Sequence, residues 1–118
     1  MSNPFQKSAR SKLANVLAKH GIDQEFQVSE DADGRPWMFC VFEWKGEEHQ
    51  IEIFEDTVVM TKGKQLFEPY MPEEFTSDEA QIRGFCKRLG RYLSGGTWEG
   101  PDERGWAGRI LRRLRRLV

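Results

Sequence analysis

The sequence predicts an α+β domain with an N-terminal helix, an antiparallel β-meander of four to five strands, and then two C-terminal helices. Apolar residues recur at helical spacing before residue 21, follow strand patterns up to residue 67, and return to helical spacing beyond residue 76. The 118 residues suffice for one domain with a substantial core. We therefore expect one domain over residues 1–118, with residues 101–118 as an amphipathic, arginine-rich C-terminal helix.

The first helix has both start and stop signals. Asn3 is placed to cap the helix, Pro4 to occupy its first position, and Gln6 to complete a capping box. Gly21 follows as a C-terminal stop. One apolar stripe is expected to face the core, and it comprises Phe5, Ala9, Leu13, Val16 and Leu17.

Short strands separated by turn residues are expected between residues 25 and 67. Residues 36–44 form the strongest strand, and weaker strands are expected at 25–30, 50–54, 57–61 and 65–67. Turn residues separate them at 31–35, 45–46, 55–56 and 62–63. Because these connections are short, neighbouring strands should pair in antiparallel order.

Two helices are expected after the sheet. Thr76 and Glu79 form a capping-box pattern that opens the first of them, and Gly95-Gly96 ends it. Pro101 is placed to begin the second. The buried face of the first should comprise Ile82, Phe85, Cys86, Leu89, Tyr92 and Leu93.

The last helix is predicted to be amphipathic, with apolar side chains within about 140° of arc and arginines opposite them. Such a helix can pack on its own sheet, dock into another protein or a second copy of the chain, or bind nucleic acid or a membrane surface. The apolar stripe comprises Trp106, Ala107, Ile110, Leu111, Leu114, Leu117 and Val118. The opposite side carries Arg104, Arg109, Arg112, Arg113, Arg115 and Arg116.

Charge is sorted by region although the net charge is only −1. Residues 1–20 carry four bases and no acid, residues 21–80 carry 16 acids against four bases, and residues 81–118 carry ten bases against three acids. This dipolar distribution gives information about binding partners and about electrostatic steering of association, but not about the fold.

Apolar residues occupy both faces of the strongest strand. Trp37, Phe39 and Val41 alternate with Met38, Cys40, Phe42 and Trp44, whereas a strand with one wet face would alternate apolar and polar residues. Both faces of the sheet therefore need cover. We expect the first two helices to cover one face, and the last helix, a second copy or a partner to cover the other.

These features favour a non-catalytic protein-interaction module, such as an adaptor, an inhibitor or a homodimer. The sheet and the last helix would supply the contact, with Trp44, Trp106, Ile110 and Leu114 as apolar anchors. The acidic middle segment is either a solvated face or an array that imitates a phosphate backbone and docks on a basic partner. The residues of that array are Glu47, Glu48, Glu52 and Glu55, together with Glu43 and Asp56.

Nucleic-acid binding is the alternative function. In that case the basic side of the last helix would neutralise phosphates, and binding would weaken steeply as salt rises. The residues concerned are Arg109, Arg112, Arg113 and Arg116.

The sequence offers no catalytic, cofactor or metal motif. The two histidines, His20 at a helix end and His49 at a hairpin expected on the surface, lie far in sequence from both cysteines. Cys40 and Cys86 lack metal-ligand spacing and are expected to be reduced core thiols of a cytoplasmic protein.

The N-terminus has no apolar run of a signal peptide, and the longest apolar run, residues 37–42, is too short to span a bilayer. We therefore expect no enzyme activity, cofactor, small-molecule substrate or membrane span.

Overall fold

The computed structural model describes residues 2–67 and 77–98. The α+β class and the antiparallel meander are confirmed, because neighbours in the five-stranded sheet are neighbours in the chain. One helix follows the sheet within the described residues where two were predicted, and the predicted last helix, 101–118, lies outside them. The elements are α1 (Pro4–Lys19), β1 (Gln27–Glu30), β2 (Pro36–Trp44), β3 (Glu47–Ile53), β4 (Val58–Lys62), β5 (Gln65–Leu66) and α2 (Asp78–Leu93).

Helix α1 begins and ends as its sequence predicts. The Asn3 side chain accepts a hydrogen bond from the Gln6 backbone N–H at 2.8 Å, and the Asn3 N–H donates to Gln6 Oε1 at 3.0 Å. This reciprocal capping box satisfies two donors that the first turn would otherwise leave unpaired. The helix ends at Lys19 with His20 as its C-cap, and Gly21 follows with a φ of +75°, a conformation that glycine adopts without steric cost.

Helix α2 begins one residue later than predicted. Its cap is Ser77, whose Oγ accepts a hydrogen bond from the Ala80 N–H at 3.1 Å, so the prediction of Thr76 as the cap is wrong. Asp78 and Glu79 then occupy the first turn, where negative charge interacts favourably with the helix dipole. Because Thr76 and Ser77 are adjacent and both carry a hydroxyl group, the sequence pattern does not decide which of them caps the helix.

A two-residue turn sets the register between the two longest strands. Trp44 pairs with Glu47, and Lys45 and Gly46 between them have φ values of 51° and 78°. Two successive positive φ values give the turn the twist of the flanking strands. With this register, Met38, Cys40 and Phe42 of β2 lie beside Ile53, Ile51 and His49 of β3, respectively.

The hydrophobic core lies between one face of the sheet, called here the inner face, and the two helices. Helices α1 and α2 also contact each other, and an ion pair of 3.2 Å joins Lys12 Nζ to Glu79 Oε1 across them. The prediction that the first two helices cover one face is thus confirmed. The helices contribute Phe5, Ala9, Leu13 and Leu17 from α1, and Ile82, Phe85, Leu89 and Leu93 from α2.

His49 belongs to this core, so the prediction of a surface histidine is wrong. Only 1% of the residue is exposed, and its ring stacks on Phe42 at 5.3 Å. The reason is that successive side chains of a strand point to opposite faces of the sheet. His49 is two residues from Ile51 and four from Ile53, so its side chain points to the same buried face as theirs.

Two hydrogen bonds offset the free-energy cost of burying the His49 imidazole. Nδ1 lies 2.9 Å from the Glu47 carbonyl oxygen, which can only accept, so Nδ1 carries the proton. Nε2 forms a second hydrogen bond with the Tyr92 hydroxyl at 2.7 Å. Both ring nitrogens are thus hydrogen-bonded, and the ring joins β3 to α2.

Both cysteines are free thiols, Cys40 in β2 and Cys86 in α2. Burial raises the pKa of each thiol to about 11. Burial also raises the pKa of Tyr92, and a hydrogen bond to Glu47 raises the pKa of Lys62.

Stability should fall in alkaline solution. Each of these groups holds its proton more tightly in the folded chain than in the unfolded chain. As pH rises from the unfolded thiol pKa of about 8.5 towards the folded value, deprotonation favours the unfolded state. Urea unfolding should therefore give a free energy that decreases between about pH 8 and pH 10.5, less steeply in the Cys40→Ala, Cys86→Ala double variant. A pH-independent free energy would contradict the raised pKa values.

The histidine–tyrosine bond should be visible in a double-mutant cycle. Tyr92→Phe leaves His49 Nε2 buried without a hydrogen-bond partner, so we expect a loss of about 1–3 kcal/mol in the free energy of unfolding. Adding His49→Phe removes that unpaired nitrogen, so the double variant should lose less than the sum of the single variants. Urea unfolding of all four proteins checks this, and strictly additive losses would mean that the bond contributes nothing.

Candidate functional site

The second face of the sheet is not covered by either described helix. We call it the outer face. Its side chains come from alternate positions of the central strands and are half-buried or exposed, in contrast to their fully buried neighbours. They are Trp37, Phe39, Val41 and Glu43 of β2, Glu48, Gln50 and Glu52 of β3, Phe54 just after β3, and Val59 and Thr61 of β4.

Three aromatic rings form a cluster at one end of the outer face. The Trp37 ring centroid lies 5.1 Å from that of Phe39 and 6.0 Å from that of Phe54, and the Trp37 and Phe54 planes differ by only 17°. Phe54 is 38% exposed, and Trp37 and Phe39 are half-buried. We call these three residues the aromatic cluster. Its position on an open sheet face is unusual, because large apolar side chains normally gain stability by leaving water.

The outer face also carries three glutamates, one beside the aromatic cluster and two nearer the β2–β3 turn. Glu52 pairs with Phe39 across the strands, and Glu43 lies directly opposite Glu48. Two like charges at opposite positions of an antiparallel pair repel each other and destabilise the sheet. Within the described ranges, none of these three glutamates takes part in an ion pair. A cation from elsewhere would therefore relieve an existing repulsion.

An open groove of about 560 Å³ adjoins the aromatic cluster. The rings of Trp37 and Phe54 and the ring of Pro36 form its apolar wall. Among the described residues that line it, Arg35 is the one base, and Arg35 Nε lies 4.0 Å from Glu55 Oε1. Five carboxylates complete the lining: Glu30, Asp31, Glu52, Glu55 and Asp56.

Side chains from the two helices hold the backbone of this groove in place. Gln6 Nε2 donates to the Pro36 carbonyl at 2.9 Å, and Asn3 Nδ2 donates to the Glu55 carbonyl at 2.9 Å. From the other helix, Gln81 Nε2 donates to the Asp56 carbonyl at 3.0 Å, and Gln81 Oε1 accepts from the Val58 N–H at 3.3 Å.

The β1–β2 turn forms the opposite wall of the groove. The Asp31 carboxylate accepts hydrogen bonds from the backbone N–H groups of Asp33 and Arg35, both at 2.9 Å. Gly34, with a φ of +78°, lets the chain reverse within this turn. The turn predicted at residues 31–35 is confirmed, and the structure shows in addition that the Asp31 side chain orders it.

The residues predicted from the sequence to bind a partner do not form one surface. Trp44 is half-buried against the core on the inner face, and Glu47 lies beside it with an ion pair of 3.0 Å to Lys62 Nζ. Glu48 and Glu52 lie on the outer face, and Glu55 lines the groove. Trp106, Ile110, Leu114, Arg109, Arg112, Arg113 and Arg116 lie outside the described residues.

Sequence reasoning did not single out the aromatic cluster or the two buried glutamines as site residues. The alternation of β2 places Trp37 and Phe39 on one face, but the contact with Phe54 depends on the register with β3. Gln81 stands beside Ile82 on the buried side of α2. A polar residue in an apolar stripe is a usable signal, because a buried amide needs hydrogen-bond partners.

The described residues contain no group of three or more histidine, cysteine, aspartate or glutamate side chains arranged to hold a metal ion. In the same part of the chain, no helix is both long enough and apolar enough to cross a membrane. Comparison with known protein families, with curated proteins and with solved structures finds no match.

Replacing Gln81 should loosen the groove and destabilise the fold. In the Gln81→Leu variant, the Val58 N–H and the Asp56 carbonyl lose their shared partner, so the free energy of unfolding should fall by about 1–3 kcal/mol. Amide hydrogen exchange should also quicken at residues 55–58. Gln24→Leu, an exposed position in the α1–β1 connection, is the matched control and should change neither quantity. Equal effects of the two substitutions would show that the glutamine does not hold the groove.

Proposed function

We propose that this chain is a non-catalytic protein-interaction module that binds a basic segment of another protein through its outer sheet face. The observation that carries the proposal is the combination, on one open face, of an aromatic cluster with carboxylates that have no described ion pair.

The aromatic cluster supports an interface because of its exposure. Trp37 and Phe39 lie in β2 and Phe54 directly follows β3, and the rings already contact one another, so their burial by a partner would cost little conformational entropy. Aromatic side chains in the centre of a contact supply a large share of binding energy at protein interfaces. The surrounding polar residues, Gln50 and Thr61 among them, would then form the rim.

The charge of the face specifies the partner's chemistry. Glu43, Glu48 and Glu52 give the outer face a negative potential, and the groove adds Glu55 and Asp56 beside it. Such a field accelerates encounter with a basic partner and disfavours an acidic one. It also disfavours nucleic acid on this face, so the alternative function would need the arginines of residues 109–116.

The proposed partner is a different protein, and binding to a second copy of this chain is the outcome that the experiment must distinguish from it. A second copy would contribute its arginine-rich residues 104–118, which also carry the apolar residues Trp106, Ile110 and Leu114. The two free thiols support a cytoplasmic location for either complex. Light scattering separates the two cases, because self-association gives a mass that rises with concentration.

Charge reversal with a matched control tests the proposed interface. Glu48→Lys with Glu52→Lys should abolish capture of any specific partner by the immobilised full chain, because both positions lie on the outer face. Asp23→Lys with Glu25→Lys makes the same change in net charge at exposed positions of the α1–β1 connection and should leave capture unchanged. Captured proteins would be quantified by mass spectrometry at two salt concentrations.

The comparison must be completed with a purified partner. The protein lost from the outer-face variant, and retained by the control, should bind the wild-type chain in titration calorimetry and should bind more weakly as salt rises. If both double variants retain the same proteins, the outer face is not the interface. Equal loss from both variants would show a nonspecific charge effect and would also overturn the proposal.

A further inference from the structure

We propose that the groove beside the aromatic cluster is a binding pocket for an arginine side chain of the partner. This inference rests on the proposed function and specifies which chemical group of the basic segment is recognised.

The aromatic wall is suited to a flat cation. The Trp37 and Phe54 rings are nearly parallel, differ by 17° in plane, and both line the groove. A guanidinium group gains a cation–π interaction when it stacks on such rings within about 6 Å of the centroid. Tryptophan is the strongest of the aromatic side chains in this interaction.

The carboxylates supply the hydrogen-bond acceptors that a guanidinium needs. Glu30, Glu55 and Asp56 line the same groove as the rings, and an arginine presents five N–H donors in a fixed fork. The five carboxylates outnumber the single Arg35, so the described lining of the groove has a formal charge of −4. The cation would therefore enter a field that already favours it.

The volume of the groove also fits a side chain rather than a bare ion. About 560 Å³ of space, open to solvent on one side, accommodates an extended arginine with part of its peptide backbone. Its apolar stem can lie along Pro36 and the aromatic rings while the charged head reaches the carboxylates.

The groove is preorganised without a ligand. Gln6, Gln81 and Asn3 fix the backbone at Pro36, Asp56 and Glu55, and Gln6 and Gln81 are 0% and 2% exposed. A pocket whose walls are held by buried hydrogen bonds loses little conformational entropy on binding. This preorganisation favours the binding of one side chain in a defined position over a diffuse electrostatic contact.

Arginine is favoured over lysine by the shape of the site. The ammonium of lysine is a compact, strongly hydrated charge, whereas guanidinium is planar, weakly hydrated and able to stack and donate at the same time. A site that offers rings and carboxylates together uses both properties. Lysine should therefore bind more weakly than arginine in otherwise identical peptides.

Peptide titration of the full chain tests this pocket directly. The probe is an acetylated, amidated peptide of alternating glycine and four arginines, and its control replaces each arginine with citrulline, which has nearly the same shape without charge. Binding would be followed by nuclear magnetic resonance at the indole N–H of Trp37, assigned by its absence in Trp37→Phe. We expect the arginine peptide to shift this signal and the citrulline peptide to bind at least about tenfold more weakly.

Variants separate the pocket from the rest of the outer face. Phe54→Leu keeps an apolar side chain but removes one ring, and Glu55→Gln removes one charge, so each should weaken the arginine peptide by roughly three- to tenfold. Leu66→Ala, an exposed apolar residue at the β5 edge, is the control and should leave affinity unchanged.

Several outcomes would overturn the proposal. Equal binding of the citrulline peptide would exclude recognition of the cation, and equal losses in Leu66→Ala would exclude a localised pocket. Binding that appears only after Arg109, Arg112, Arg113 and Arg116 are replaced by glutamine would identify this chain's own segment as the occupant. If Phe54→Leu captures the partner as well as wild type does, while Glu48→Lys with Glu52→Lys loses it, the proposed interface stands and the pocket does not.

Discussion

The structure depends on the burial of strand β2, which is apolar on both of its faces. Met38, Cys40 and Phe42 lie under the two helices, and Trp37 and Phe39 point to the opposite side. The inner side chains are removed from water by α1 and α2, and this burial is the main favourable term for a domain of this size. The outer side chains gain no comparable cover from the described residues. The same strand therefore organises the core and creates the surface to which we assign the function.

The two helices do more than cover the inner face. Each inserts one buried glutamine between itself and the sheet, and each glutamine bonds to backbone that lines the groove on the other side. A buried amide is tolerated only when its hydrogen bonds are satisfied, so these residues couple the position of the helices to the shape of the groove. The packing of the core and the shape of the candidate site therefore depend on the same hydrogen bonds.

Much of the fold could be predicted because its signals are local. The capping residues of α1, the alternation of β2 and the turn at Lys45-Gly46 each act over a few residues, and the structure confirms all three. The burial of His49 was missed because the sequence around it is acidic, although its strand parity places it inward. The site was harder to predict, since the contact between Trp37 and Phe54 depends on cross-strand register. The bonds from Gln6 and Gln81 span 30 and 25 residues of sequence, a separation at which no local pattern gives information.

The short β2–β3 connection limits how the chain can vary. Side chains alternate between the faces of a strand, and only the two residues between Trp44 and Glu47 keep β3 in step with β2. One additional residue there, left uncompensated by a bulge, would exchange the faces of β3. Glu48 and Glu52 would then turn towards the helices, and Ile51 and Ile53 would turn towards solvent. The length of this loop should consequently be under stronger selection than the identity of Lys45, whose side chain is exposed.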